Sequence, residues 1–167
     1  LVTHQHKKLS GFTLIEVLLV VIIIGIMTTV GVGLVNSQSG ERTLQNKAQQ
    51  WQQLLTYLCQ QSVLNNRPYG IEFAQQTAGV FVFEDFRWRE LPRWSVVLAV
   101  DTLSWEVSLD GHTQPLETEL SALPHLVCYS DGRINPFRLK LWLTQLPASA
   151  YELTSQSPFK ISGHWHE

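Results

Sequence analysis

Residues 11–35 read GFTLIEVLLVVIIIGIMTTVGVGLV, and the architecture turns on this stretch. Val17 to Val35 is 19 residues without a charge, and Glu16 is the only ionisable side chain between Leu9 and Gly40. A run of ~20 apolar residues is long enough to cross the hydrocarbon core of a bilayer as a helix. The chain-wide averages, a mean hydropathy of −0.01 and a net charge of −2, therefore blend two different materials. Glu16 is the anomaly, because a carboxylate inside an apolar span costs about 2.5–3.5 kcal/mol on insertion scales unless it is interfacial or paired.

On the N-terminal side, Leu1 to Gly11 is short and polar, with Lys7 and Lys8 as its only charges. Basic residues before a span favour a cytoplasmic start and place the body on the far side. A secretory signal peptide would need an apolar core of ~7–15 residues and a small-residue cleavage site. Here the run is longer and no Ala-x-Ala follows it. A plain single-pass anchor explains everything except Glu16, whose bland reading is an acid that snorkels to water.

Gly11-Phe12-Thr13-Leu14-Ile15-Glu16, behind a basic leader and before a long apolar run, resembles the processing site of type IV pilin-like precursors. The resemblance implies a leader peptide over 1–11, removed between Gly11 and Phe12 by a prepilin peptidase, and methylation of the new Phe12 amine. It makes 12–35 a transmembrane or filament-core helix, with Glu16 the fifth residue of the mature chain. In that family the carboxylate pairs with the terminal amine of a neighbouring subunit during assembly. An opposite charge offsets part of the cost of burying one.

On the C-terminal side the helical pattern continues in polar form over 36–66. Leu44, Ala48, Trp51, Leu55, Leu58 and Ser62 fall on one face of a helix, and the other faces carry glutamines, which are good helix formers. No proline occurs before Pro68. A nearly continuous helix from Phe12 to about Leu64 would be about 80 Å long at its standard rise. Gly31, Gly33 and Asn36–Gly40 are the points where it is expected to bend or melt.

Beyond the breaker cluster Asn65-Asn66-Arg67-Pro68 the periodicity changes to two. Tyr69, Ile71 and Phe73 alternate, as do Val80 and Val82, and strands are also read at Trp94–Val100, Trp105–Leu109, Leu126–Tyr129 and Phe137–Leu143. Asp110-Gly111 and Asp131-Gly132 are hairpin signals. Five of the six tryptophans lie here, enough to fill a modest core. The expected class is α+β: a long N-terminal helix, membrane half and amphipathic half, packed on an antiparallel β-sheet or β-sandwich domain over 67–167.

The unit Ser130-Asp131-Gly132-Arg133-Ile134-Asn135-Pro136-Phe137-Arg138-Leu139 is similar to the C-terminal stretch of H-type minor pseudopilins (GspH) of the type II secretion system, and Gly163-His164-Trp165 fits their last strand. FimT/FimU-type minor pilins share the pattern. No proline interrupts the apolar helix and no acidic cluster that would hold calcium closes the chain, which departs from the major pseudopilin. The resemblance implies a structural subunit of the periplasmic pseudopilus, placed near its tip, that supports export of folded proteins across the outer membrane. Its partners would be the prepilin peptidase, other pseudopilins and the inner-membrane assembly platform. It would sit in the inner membrane as a single pass, N-terminus cytoplasmic and body periplasmic. The alternative is a minor pilin of a type IV pilus that serves pilus assembly or DNA uptake.

Cys59 and Cys128 would both lie in the periplasm, which permits disulfides. A bridge from helix to strand and two small buried thiols are both open readings, and a Cα separation beyond ~7 Å would exclude the bridge. Little else suggests chemistry. His164 and His166 have strand spacing but lack a third ligand for a metal. His112 and His125 stand beside turns and read as solvated, and Ser10 and Ser62 lack a His/Asp context. No nucleotide, cofactor or hydrolase motif occurs. The run Glu84 to Glu90 (EDFRWRE) reads as a strand edge or solvated loop, with a docking surface for another subunit as the sharper alternative. From Pro68 onward there are 12 acidic and 7 basic residues, a net of −5, which argues against a nucleic-acid partner. A membrane-anchored enzyme would require titratable groups converging in a deep pocket.

Overall fold

The computed structural model describes residues 14–94, 102–156 and 160–166, with side chains for all of these except 27–38 and 156. The leader, the Gly11–Phe12 junction, Ser10 and Ser95–Val100 of one expected strand lie outside the described residues.

Helix α1 runs Leu14–Asn65, 52 residues, and does not melt at Gly31, Gly33 or Asn36–Gly40, the points expected to bend or melt. Once a helix is nucleated each further residue adds a hydrogen bond, so a glycine penalty of ~1 kcal/mol does not interrupt it. The helix ends where the sequence breaks. Asn66 takes φ 49°, its N–H donates to Val63 O at 3.3 Å, and the Arg67 N–H donates to Ser62 O at 3.1 Å. This is a Schellman termination with asparagine in the left-handed position.

The chain forms two compact units, up to Ser39 and from Gly40 onward. The second contains two antiparallel sheets. The first joins β1 (Tyr69–Phe73), β2 (Ala78–Glu84), β3 (Arg87–Glu90) and β6 (Leu126–Cys128) in the order β3-β2-β1-β6. The second joins β4 (Leu103–Leu109), β5 (His112–Thr113), β7 (Phe137–Leu143), β8 (Leu146–Gln156) and β9 (Lys160–His166) in the order β5-β4-β7-β8-β9. Strand β4 alternates buried and exposed positions over most of its length, as does β7 over its first half. Strands β1 and β2 are almost wholly buried, because the segment leading to β6 covers their second face. A Cβ on Gly70 would come within 2.5 Å of Pro124, so that position requires glycine for close approach, and one on Gly79 would come within 2.6 Å of a Leu120 methyl.

Trp94, the one described residue of the expected Trp94–Val100 strand, closes a helical turn, Pro92–Trp94, in which its N–H donates to Leu91 O at 3.0 Å. Pro92 fixes the φ that opens such a turn. The helix stripe is the core seam: Leu44, Ala48, Trp51, Leu55, Leu58 and Ser62 are all buried. Trp51 meets Phe73 of β1 and Trp105 of β4, so one aromatic cluster ties the amphipathic half of the helix to both sheets. The Trp105 indole donates to Ala74 O at 2.9 Å.

Candidate assembly surface

Glu16 lies in the first turn of the described helix and is exposed. Around it and beyond, the large apolar side chains from Leu14 to Ile26 are outward, from 84% exposed at Leu14 to 45% at Ile23. A helix apolar on every side is stable only against lipid or other protein. Among the described residues no helix is long and apolar enough to cross a membrane; the described side chains of the apolar run stop at Ile26.

In the body, Cys59 of α1 and Cys128 of β6 are joined by a disulfide, their Cα atoms 4.9 Å apart. The fully buried Ser62 hydroxyl lies beside it, 2.7 Å from Cys59 O and 2.8 Å from Tyr129 O, so its one proton serves either carbonyl. A groove of about 620 Å³ opens next to the bridge, lined by Thr56, Cys59, Val63, Leu64 and Ile161 among others.

His164 and His166 do point to one side of β9, toward the buried Glu152 of β8. Its carboxylate takes Arg138 Nε at 3.1 Å and lies 3.6 Å from His164 Nε2 and 3.2 Å from His166 Nδ1. Arg138 already satisfies the carboxylate as a cation would. Among the described residues no group of three or more His, Cys, Asp or Glu is arranged to hold a metal ion.

His112 is exposed, but His125 is not solvated as expected. It is half-buried, and its Nδ1 accepts the Phe73 N–H at 3.1 Å. Burial pushes its pKa below 6.5, partly opposed by the nearby Glu72 carboxylate. Glu72 is itself buried, and it accepts from Ser121 N and Ser121 Oγ, both at 2.7 Å, and from Leu123 N at 3.2 Å. Sequence reading missed Glu72 and Glu152; each stands between two core residues of its strand, Ile71 and Phe73 or Tyr151 and Leu153, where alternation points a side chain outward.

The run Glu84 to Glu90 is the β2–β3 hairpin. Its turn is Asp85-Phe86, with φ 50° and 60°, and Phe86 is 97% exposed. Arg89 bridges Glu84 at 3.1 Å and Asp85 at 2.9 Å, while Arg67 holds Glu84 at 2.8 Å. Phe83 and Trp88 meet edge to face across the strands.

An N-terminal helix with a prepilin-type start, packed by its second half on antiparallel sheets, defines the class as a pilin-like subunit. Residues 6–32 match the family described as the prokaryotic N-terminal methylation motif. The chain is 30% identical over 150 residues to type II secretion system protein H of Pseudomonas aeruginosa, covering 78% of this chain and 81% of that protein. The crystal structure of the minor pseudopilin EpsH from the Vibrio cholerae type II secretion system matches with a TM-score of 0.60 at 18% identity, over 74% of this chain and 97% of that one. The solution structure of Escherichia coli GspH matches with a TM-score of 0.59 at 19% identity, over 75% and 89%. The chain belongs to the type II secretion system protein H family, the H-type minor pseudopilins. That membership places it with secretion rather than with type IV pili.

Proposed function

We propose that the chain is made as a precursor, cut between Gly11 and Phe12 by a prepilin peptidase, methylated on Phe12, and drawn into the pseudopilus as a structural subunit without catalysis of its own. The observation that carries this is the methylation motif over 6–32 in register with Glu16 at the start of an apolar helix. Residues 12–35 anchor the subunit in the inner membrane, with the N-terminus cytoplasmic and the β-rich body in the periplasm. At assembly the Glu16 carboxylate attracts the Phe12 amine of an adjacent subunit, which offsets the cost of holding that charge in an apolar filament core. The exposed face from Leu14 to Ile26 then packs on neighbouring pseudopilin helices. The subunit sits near the filament tip, works with the inner-membrane assembly platform and supports export of folded proteins across the outer membrane.

Mass spectrometry of the mature N-terminus tests this. A chain beginning at methylated Phe12 supports the reading, and a retained leader sinks it. Glu16→Val is expected to insert into the membrane normally and to lose secretion; unaltered secretion would rule out the pairing role.

A further inference from the structure

The tip of the β2–β3 hairpin breaks the chemistry of its own turn. Two-residue hairpin turns with positive φ at both positions favour Asn-Gly, Asp-Gly or Gly-Gly. Here the second position is Phe86, a bulky residue at φ 60°, where glycine would carry no strain. Nothing local repays the choice, since the ring is 97% exposed. The surroundings nevertheless brace it: Arg89 of β3 reaches across the hairpin to Glu84 at the end of β2 and to Asp85 in the turn, and Arg67 ties Glu84 back to the segment after the helix. A strained backbone that projects an aromatic from a braced scaffold is the pattern of a contact residue.

We propose that Phe86 is a docking anchor that inserts into an apolar pocket of a neighbouring, different pseudopilin in the same filament. The charges around it select a protein. Arg67, Arg87 and Arg89 balance Glu84, Asp85 and Glu90, so the rim has no net basicity to draw it to an anionic lipid surface. The area selects a partner that is already held in place. A phenylalanine buries about 150–250 Å², well short of the ~800 Å² per side of a standard stable interface. Such a contact counts only when the partner is kept at high effective concentration, as it is when two subunits share a bundle of N-terminal helices. The proposal therefore rests on the pseudopilus reading above.

The test uses the full chain in cells with an intact secretion system. A benzoylphenylalanine photoprobe at position 87 should cross-link to another pseudopilin, and Phe86→Gly in the same chain should lower the yield about tenfold or more, as for removal of an interface hot spot. The thermal midpoint of the Phe86→Gly chain should be unchanged or raised. Adducts only with a second copy of this chain, with lipid or with a secreted protein, an unchanged yield, or a lowered midpoint would each overturn the proposal. A chain that matures at Phe12 and enters filaments without the cross-link defeats this inference alone; a chain that keeps its leader defeats the reading beneath it.

Discussion

Trp51 of the helix lies over Phe73 of β1 with ring centroids 5.2 Å apart and planes at 22°. Both rings also meet Trp105 of β4, at 6.2 and 5.9 Å. Trp51 is therefore one helix residue that touches both sheets. Trp51→Ala removes the whole cluster's centre and should cost about 3–5 kcal/mol. Chemical denaturation of the detergent-solubilised chain measures this; a loss under about 1 kcal/mol would mean the helix is held elsewhere.

The second tie between helix and sheet is covalent. Cys59 and Cys128 are 69 residues apart, and closing a loop of that length stabilises by about 4 kcal/mol in the chain-entropy model. The double variant Cys59→Ser, Cys128→Ser should lose stability on that scale, and dithiothreitol should destabilise the native chain but not the variant. Equal stability of the two under oxidising conditions would contradict the bridge.

How much of this was legible in the sequence follows from the range of the forces involved. The helix stripe was readable because burial against a sheet imposes a 3.6-residue period, and each of its six positions is buried. Strands β4 and β7 were readable where one face meets the core. Strand β8 was missed because Leu146–Gln156 carries too little alternation and pairs through an irregular register at Trp142/Leu143. Glu72, His125 and Glu152 were misread or unseen because their partners lie far along the chain: Ser121 is 49 residues from Glu72. Such pairings leave no local period. The processing motif was legible because its elements are contiguous.

Glu72 pins the segment before β6 through acceptor chemistry alone. Its two oxygens take three donors, from Ser121 and Leu123. Glu72→Gln would turn one oxygen into an amide nitrogen and set donor against donor, leaving a buried group unsatisfied. The expected cost is about 1–3 kcal/mol, with faster proteolysis between Glu117 and Pro124. Unchanged protease resistance would show that the segment is seated without the carboxylate, by contacts such as the Gln75 N–H donating to Glu117 O at 2.9 Å and the His125 N–H donating to Ile71 O at 2.9 Å.

His125 makes the same region sensitive to acid. Burial lowers its pKa in the folded state below 6.5, so the unfolded chain binds the proton more readily. Stability is then greatest above the unfolded value and falls as pH drops through 6.5 toward the folded value. Protonation of Nδ1 would also remove the acceptor for the Phe73 N–H. His125→Asn offers an amide oxygen near the same place without a titrating group, so it should keep the bond and flatten that part of the pH profile. The thermal midpoint of the native chain should fall relative to the variant between pH 7 and 5. The comparison isolates His125 because every other histidine is present in both chains. Parallel profiles would mean that His125 is protonated in the folded state as easily as in the unfolded one, and that its bond to Phe73 carries no weight in holding the segment on β1.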